Sequence, residues 1–142
     1  NGDYADIWAE LETNLMGSII VAEEAMGLPT VLIASVAALQ GKPEHVGYAA
    51  SKAGVISVAR SYAAAGHPVW AISPGRVDTP MREKDYPNDE PGTRVNPLAI
   101  GAVVRDILDG QYKHGANVIV RKVGTKRSEV YEEPRWELPS LL

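Results

Sequence analysis

The stretch "VLIASVAALQGKPEHVGYAASKAG", residues 31–54, joins a short apolar run to a longer segment of small residues, with three chemically capable side chains at set places along it. Together with Thr30, the run Val31-Leu32-Ile33-Ala34 is continuous, apolar and β-branched, the pattern of a strand buried on both faces. From about Val46 to Ala65 the chain reads as a helix. Its Gly47, Ala49, Ala50, Ser51, Ala53, Gly54, Ser57 and Ala59 let another backbone come close, and Gly66 with Pro68 stops it. Ser35 then stands at the carboxyl end of the strand, where ligands of open α/β sheets bind, and Tyr48 and Lys52 lie one turn apart on one helix face.

Outward from this stretch the same alternation continues. Upstream, "DYADIWAELETNLMGSIIVAEEAM" carries Ile7, Leu11, Leu15, Ile19 and Ala22 at helical spacing, and this helix is expected to end near Gly27 and Pro29. Downstream, "VWAIS" reads as a second strand and "ANVIV" as a third. Between them a polar loop, "MREKDYPNDEPGTR", leads to Asn96 as N-cap and Pro97 as the first residue of a helix closing at Gly110. Strands alternating with helices imply parallel crossovers, hence an α/β class with right-handed connections. Residues 1–142 are expected to form one domain, with 125–142 as a C-terminal tail or arm. Tyr131, Trp136, Leu138, Leu141 and Leu142 are apolar enough to pack on a neighbouring subunit or back over their own chain.

Composition narrows the function classes. The chain has 142 residues, 45% of them hydrophobic, with 14 Lys plus Arg against 18 Asp plus Glu and a net charge of −4. No basic run tracks a phosphate backbone, so nucleic acid is not an expected partner. Without cysteine there is neither a disulfide framework nor a thiolate metal site, and His45, His67 and His114 lack ligand spacing, so no metal is expected. The apolar runs are too short to cross a bilayer and no signal-peptide pattern opens the chain, so a cytoplasmic protein without membrane contact is expected.

The trio has a chemical logic. A phenol with an ordinary pKa near ~10 trades protons poorly at neutral pH, and a neighbouring ammonium favours its phenolate. Tyr48 beside Lys52 is thus a candidate general acid or base, and Ser35 a candidate donor to a substrate oxygen.

"YAASKAG", a serine thirteen positions before its tyrosine, "NLMGS" in the preceding helix and "SPGRVDTPM" after the second strand together resemble the classical short-chain dehydrogenase/reductase family, in family order. The resemblance covers residues 4 to about 124, the catalytic C-terminal half of a Rossmann-like parallel sheet with flanking helices. The N-terminal dinucleotide-binding βαβ half is not in this chain: no two glycines stand two positions apart. The resemblance implies Tyr48 as catalytic acid/base, Lys52 as its partner and a ligand of the nicotinamide ribose, and Ser35 as positioner of the substrate oxygen. Asn14 would support a water relay to Lys52. Pro74, Gly75 and Val77, with the Thr79 hydroxyl, would hold the nicotinamide carboxamide.

The expectation is an NAD- or NADP-dependent oxidoreductase that moves hydride between the cofactor and a small carbonyl or secondary alcohol. The residue that would choose between NAD and NADP belongs to the absent half. Two alternatives stand beside it: a truncated or split member acting as a non-catalytic oligomer or interaction partner, and an isomerase or lyase on the same scaffold. The resemblance also implies a homo-oligomer, dimer or tetramer, with the helices over 7–26 and 46–65 at a two-fold interface. Val31 to Ile33 are expected to be covered by a missing N-terminal half or by another chain. The loop from Met81 to Val95 reads equally as a solvated connector and as a lid. Arg76 and Asp78 are expected in solvent or paired with each other, with substrate contact as the other reading.

Overall fold

The structure, a computed structural model, describes residues 4–41, 43–90, 92–124 and 128–134. It begins with one rod of three segments: α1 (Tyr4–Glu10), a π-helical turn (Leu11–Met16) and α2 (Gly17–Glu24). Then come β1 (Thr30–Ile33), a 3-10 turn (Val36–Leu39), α3 (Val46–Ala64), β2 (Val69–Pro74), α4 (Pro80–Asp85), α5 (Pro97–Leu108), β3 (Asn117–Lys122) and β4 (Ser128–Glu132). The four strands form one sheet in the order β1-β2-β3-β4. β1, β2 and β3 run parallel, and β4 returns antiparallel on β3. The expected Rossmann-like α/β sheet is therefore present.

Alternation along β2 builds two cores. Trp70 and Ile72 face Val103 and Ile107 of α5, with Val95, Val118 and Val120, while Val69 and Ala71 face Val55, Ile56 and Ala59 of α3, with Leu32 and Ala34. Each of these larger side chains contributes about 1.5–3 kcal/mol through burial, so the sheet has a helix layer on both faces. The α1–α2 rod packs on the outer side of α3. The chain ends α3 as its sequence implies: Gly66 takes φ +92°, a left-handed value that a side chain would disfavour.

Three elements depart from expectation. The first helix is not uniform from Ile7 to Met26, because the π turn interrupts it and α2 ends at Glu24. The polar loop contains α4, capped by Thr79 with Pro80 in its first turn. Residues 128–132, placed in a tail or arm that packs on a neighbouring subunit or back over its own chain, form a regular strand that was not foreseen, β4 of the chain's own sheet; Trp136, Leu138, Leu141 and Leu142 lie outside the described residues.

One edge of the sheet is open. Thr30 N–H donates to Pro68 and Ala34 N–H to Ile72, so these residues and Leu32 face β2, and Val31 and Ile33 turn their backbone groups outward. Among the described residues no strand pairs with that side, and Ile33 is 46% exposed.

Candidate active site

α3 carries Tyr48 and Lys52 on one face. The Lys52 ammonium lies 5.9 Å from the centre of the Tyr48 ring and donates to the main-chain oxygen of Ile33 at 2.9 Å. Lys52 is half-buried, and burial holds its pKa below the ordinary 10.5, because a desolvated ammonium is disfavoured. An ammonium has three N–H donors, so the bond to Ile33 leaves two for other acceptors.

The helix is held in place by a residue that the motif reading passed over. Ser51, fully buried, donates to the main-chain oxygen of Tyr48 at 2.8 Å and accepts from Asn14 Nδ2 at 3.2 Å. Asn14 sits in the π turn, a distortion frequent at functional sites. Its side chain is thereby joined to the helix turn between Tyr48 and Lys52. The small residues of α3 make this approach possible: a Cβ on Gly47 would stand 3.0 Å from Ile7 Cα, and one on Gly54 would stand 2.7 Å from Leu15 Cδ1. The close-packing neighbour foreseen for these residues is thus the chain's own first helix.

Ser35 lies two residues beyond β1 in extended backbone. Its Oγ accepts from Ala37 N–H at 3.1 Å and caps the 3-10 turn, which packs on α3. The hydroxyl proton is still available to a substrate oxygen.

The second loop leaves the same end of the sheet. Gly75 N–H donates to Val120, and beyond it Arg76 and Asp78 bridge to the buried Val95 through Val95 N–H to Arg76 O and Asp78 N–H to Val95 O. Val77 between them therefore directs its own N–H and C=O away from Val95. Thr79 Oγ1 accepts from Arg82 N–H at 3.2 Å as the cap of α4. Pro74, Gly75, Val77 and Thr79 thus form one short segment at the carboxyl end of β2.

The loop from Met81 to Val95 is tied by one carboxylate. Asp89 takes Arg82 on both oxygens (2.7 and 3.1 Å), with Arg76 and Arg94 each at 3.4 Å. The Arg82 hydrogen bond is the first cause holding the Asp89 carboxyl below its usual range. Arg76 and Asp78 do not pair with each other; Asp78 meets Arg94 at 3.4 Å.

Asn14 and Lys52 also line a groove of about 410 Å³ along the open edge of β1, with Ser18, Val21, Val31 and Ile33. Ser35, Tyr48 and the Pro74–Thr79 segment do not line it. Sequence reasoning also missed a buried chain from Ser73 through Asn117 to Glu133 and Arg60, with contacts of 2.8, 3.0 and 2.8 Å. Among the described residues no group of His, Cys, Asp and Glu could hold a metal ion, and no helix is long and apolar enough to cross a membrane.

Residues 3–90 match the family model described as short chain dehydrogenase. The chain is 42% identical over 85 residues to an uncharacterised short-chain type dehydrogenase/reductase of Sinorhizobium fredii, which covers 54% of this chain and 16% of that protein. Its fold is similar to a solved putative gluconate dehydrogenase of Agrobacterium tumefaciens (TM-score 0.74, 21% identity). It is similar also to levodione reductase (TM-score 0.72, 26% identity). Each match covers 84% of this chain, but only 56% and 57% of the respective solved chains.

Proposed function

This chain belongs to the short-chain dehydrogenase family, and from that premise we propose that it forms the proton-transfer half of a nicotinamide-dependent oxidoreductase acting on a carbonyl or secondary alcohol. Members of the family are oxidoreductases that generally use NAD(P). When bound, the nicotinamide supplies or accepts the hydride. Tyr48 gives a proton to the carbonyl oxygen, or takes one from the alcohol, as the hydride moves. Ser35 donates to the same oxygen and orients it. Lys52 places positive charge beside the phenol and reaches the nicotinamide ribose with its remaining donors, and Asn14 would support a water relay to it.

The residues present suit the nicotinamide end of the cofactor. An amide presents one acceptor and one donor group, and the outward N–H and C=O of Val77 match both, with Thr79 and the Pro74-Gly75 backbone beside them. The adenine and pyrophosphate end finds no glycine-rich loop in these 142 residues. The observation that carries the reading is the Tyr48–Lys52 turn, whose half-buried ammonium lies 5.9 Å from the Tyr48 ring and whose backbone at Tyr48 is joined to Asn14 through Ser51.

A second reading has its own support. The unpaired edge of β1 suits a strand from elsewhere, and Tyr4, Trp8 and Met16 leave apolar surface on the α1–α2 rod, as an oligomer or interaction partner requires. Titration of reduced nicotinamide fluorescence with the chain separates the two. A saturable change that weakens in Lys52→Met supports the enzyme. No change at any concentration overturns cofactor binding by this chain and leaves the partner role.

A further inference from the structure

Arg76 places a weakly neutralised charge beside the segment read as the nicotinamide contact. It follows Pro74 and Gly75, the segment read as the nicotinamide contact, at the carboxyl end of β2 where ligands of α/β sheets bind. Its backbone is fixed, because its carbonyl accepts from Val95 N–H at 2.6 Å and Val95 is fully buried. The side chain therefore leaves from a rigid base.

The guanidinium itself is underused. It is 54% exposed and has one ionic contact, to Asp89 Oδ1 at 3.4 Å. That oxygen already takes a stronger bond from Arg82 at 3.1 Å, and the other oxygen of Asp89 takes Arg82 and Arg94. Three guanidiniums thus share one carboxylate. The next acid along the chain, Asp78, is drawn to Arg94 and gives Arg76 nothing. A guanidinium presents five N–H donors in a planar fork suited to an oxyanion. Arg76 spends at most one of them, at a length where little is gained.

We propose that Arg76 receives an oxyanion carried by the substrate, a carboxylate or a phosphate, so that the site acts on an acidic hydroxy or oxo compound rather than on a neutral one. The inference rests on the site assignment above and names its substrate class. Asp89 serves as the counter-anion in the absence of substrate. A substrate oxyanion replaces the long Asp89 contact with a two-pronged, charge-assisted pair, and Arg82 keeps Asp89 in place when that happens. The anchored end of the substrate then fixes where its carbonyl falls relative to Tyr48 and Ser35.

The test follows the Arg76 side-chain N–H resonance in the whole 142-residue chain, labelled at arginine. The probes are 3-hydroxybutyrate, inorganic phosphate and, as a neutral control, 2-butanol. A saturable shift with an anion and none with the alcohol is expected. A shift with the carboxylate alone assigns an acid, one with phosphate alone a phosphorylated compound, and one with both an oxyanion site open to either. Arg76→Gln should weaken binding at least about tenfold, and Arg76→Lys should recover part of the loss, since charge survives without the fork. Tyr48→Phe should bind the anion as the wild type does, so a failure of the acid/base reading leaves this result standing. Anion binding undiminished in Arg76→Gln, no shift at Arg76 with either anion, or an equal shift with 2-butanol overturns the proposal.

Discussion

Lys52 Nζ donates to the carbonyl of Ile33 at 2.9 Å, one turn of α3 from the Tyr48 ring, and so ties α3 to the open edge of the sheet. The bond joins two otherwise separate features: a half-buried ammonium and a strand edge whose carbonyl has no β-ladder partner among the described residues.

Burial lowers the Lys52 pKa below 10.5, and the sign of the stability effect follows. Between the lowered folded value and 10.5 the unfolded chain holds the extra proton, so stability rises with pH through that window. The contribution is complete above 10.5 and is lost as pH falls through the folded value. The stability of the wild type relative to Lys52→Met, read from denaturation midpoints, should rise with pH on the alkaline side, because Tyr62 and Tyr112, whose raised phenol pKa values act in the opposite sense, are common to both proteins. Parallel curves for the two proteins would show that Lys52 is not the group responsible.

For Asp89 the window lies on the acid side. Its carboxyl is held below the ordinary 3.8 first by the Arg82 hydrogen bond, so its contribution is full above 3.8 and disappears as pH falls through the folded value. Protection from hydrogen exchange, taken relative to the intrinsic rate at each pH, should fall in acid more steeply at Tyr86 and Thr93, whose amides are bonded within this loop, than in α3. Asp89→Asn should already exchange fast at neutral pH. Unchanged protection in that variant would mean that the bridge of Val95 to Arg76 and Asp78 alone holds the loop.

Gly47→Ala sets propensity against packing. Alanine gains roughly 0.5–1 kcal/mol over glycine in a helix, but its Cβ would stand 3.0 Å from Ile7 Cα, a backbone atom that cannot swing aside. Overpacking of this kind costs about 1–3 kcal/mol, so the net effect is destabilising. Chemical denaturation should show a lower midpoint; a higher one would mean that the α1–α2 rod shifts without loss.

The buried chain at the end of β4 separates two residues that look equivalent. Glu133 Oε2 accepts from both Asn117 Nδ2 and Arg60, and Asn117 is fully buried. Glu133→Ala strands a buried amide and should cost about 1–3 kcal/mol. Arg60→Ala removes only a pair in which Arg60 is 40% exposed, worth about 0–1 kcal/mol. Equal losses in urea unfolding would contradict this division.

What was legible in the sequence was what local pattern decides. β1, β2, β3 and α3 announced themselves through apolar runs and small residues, and α5 through Asn96 and Pro97, whose cap is present with Asn96 Oδ1 accepting from Leu98 N–H at 2.9 Å. "SEVYE" did not read as a strand, because β4 lies at the sheet edge with most of its side chains in solvent and lacks a buried face to leave a period. α4 hid inside a charged loop because six residues make a helix here only with the Thr79 cap and the later Asp89 to hold Arg82. In the site, Tyr48 and Lys52 stood out through the order of the motifs, since a tyrosine and a lysine four apart are alone a weak signal and gain weight only with Ser35 and "SPGRVDTPM". Ser51 and Glu133 did not, since their partners lie 37 and 73 positions away.

The most direct test of the central claim, that Tyr48 transfers the proton, is the oxidation rate of reduced nicotinamide dinucleotide across a panel of carbonyl substrates, wild type against Tyr48→Phe. The account predicts that turnover by the chain assembled with a dinucleotide-binding half falls about 10²–10⁴-fold in the variant, with circular dichroism unchanged. Equal turnover in the two proteins would contradict it.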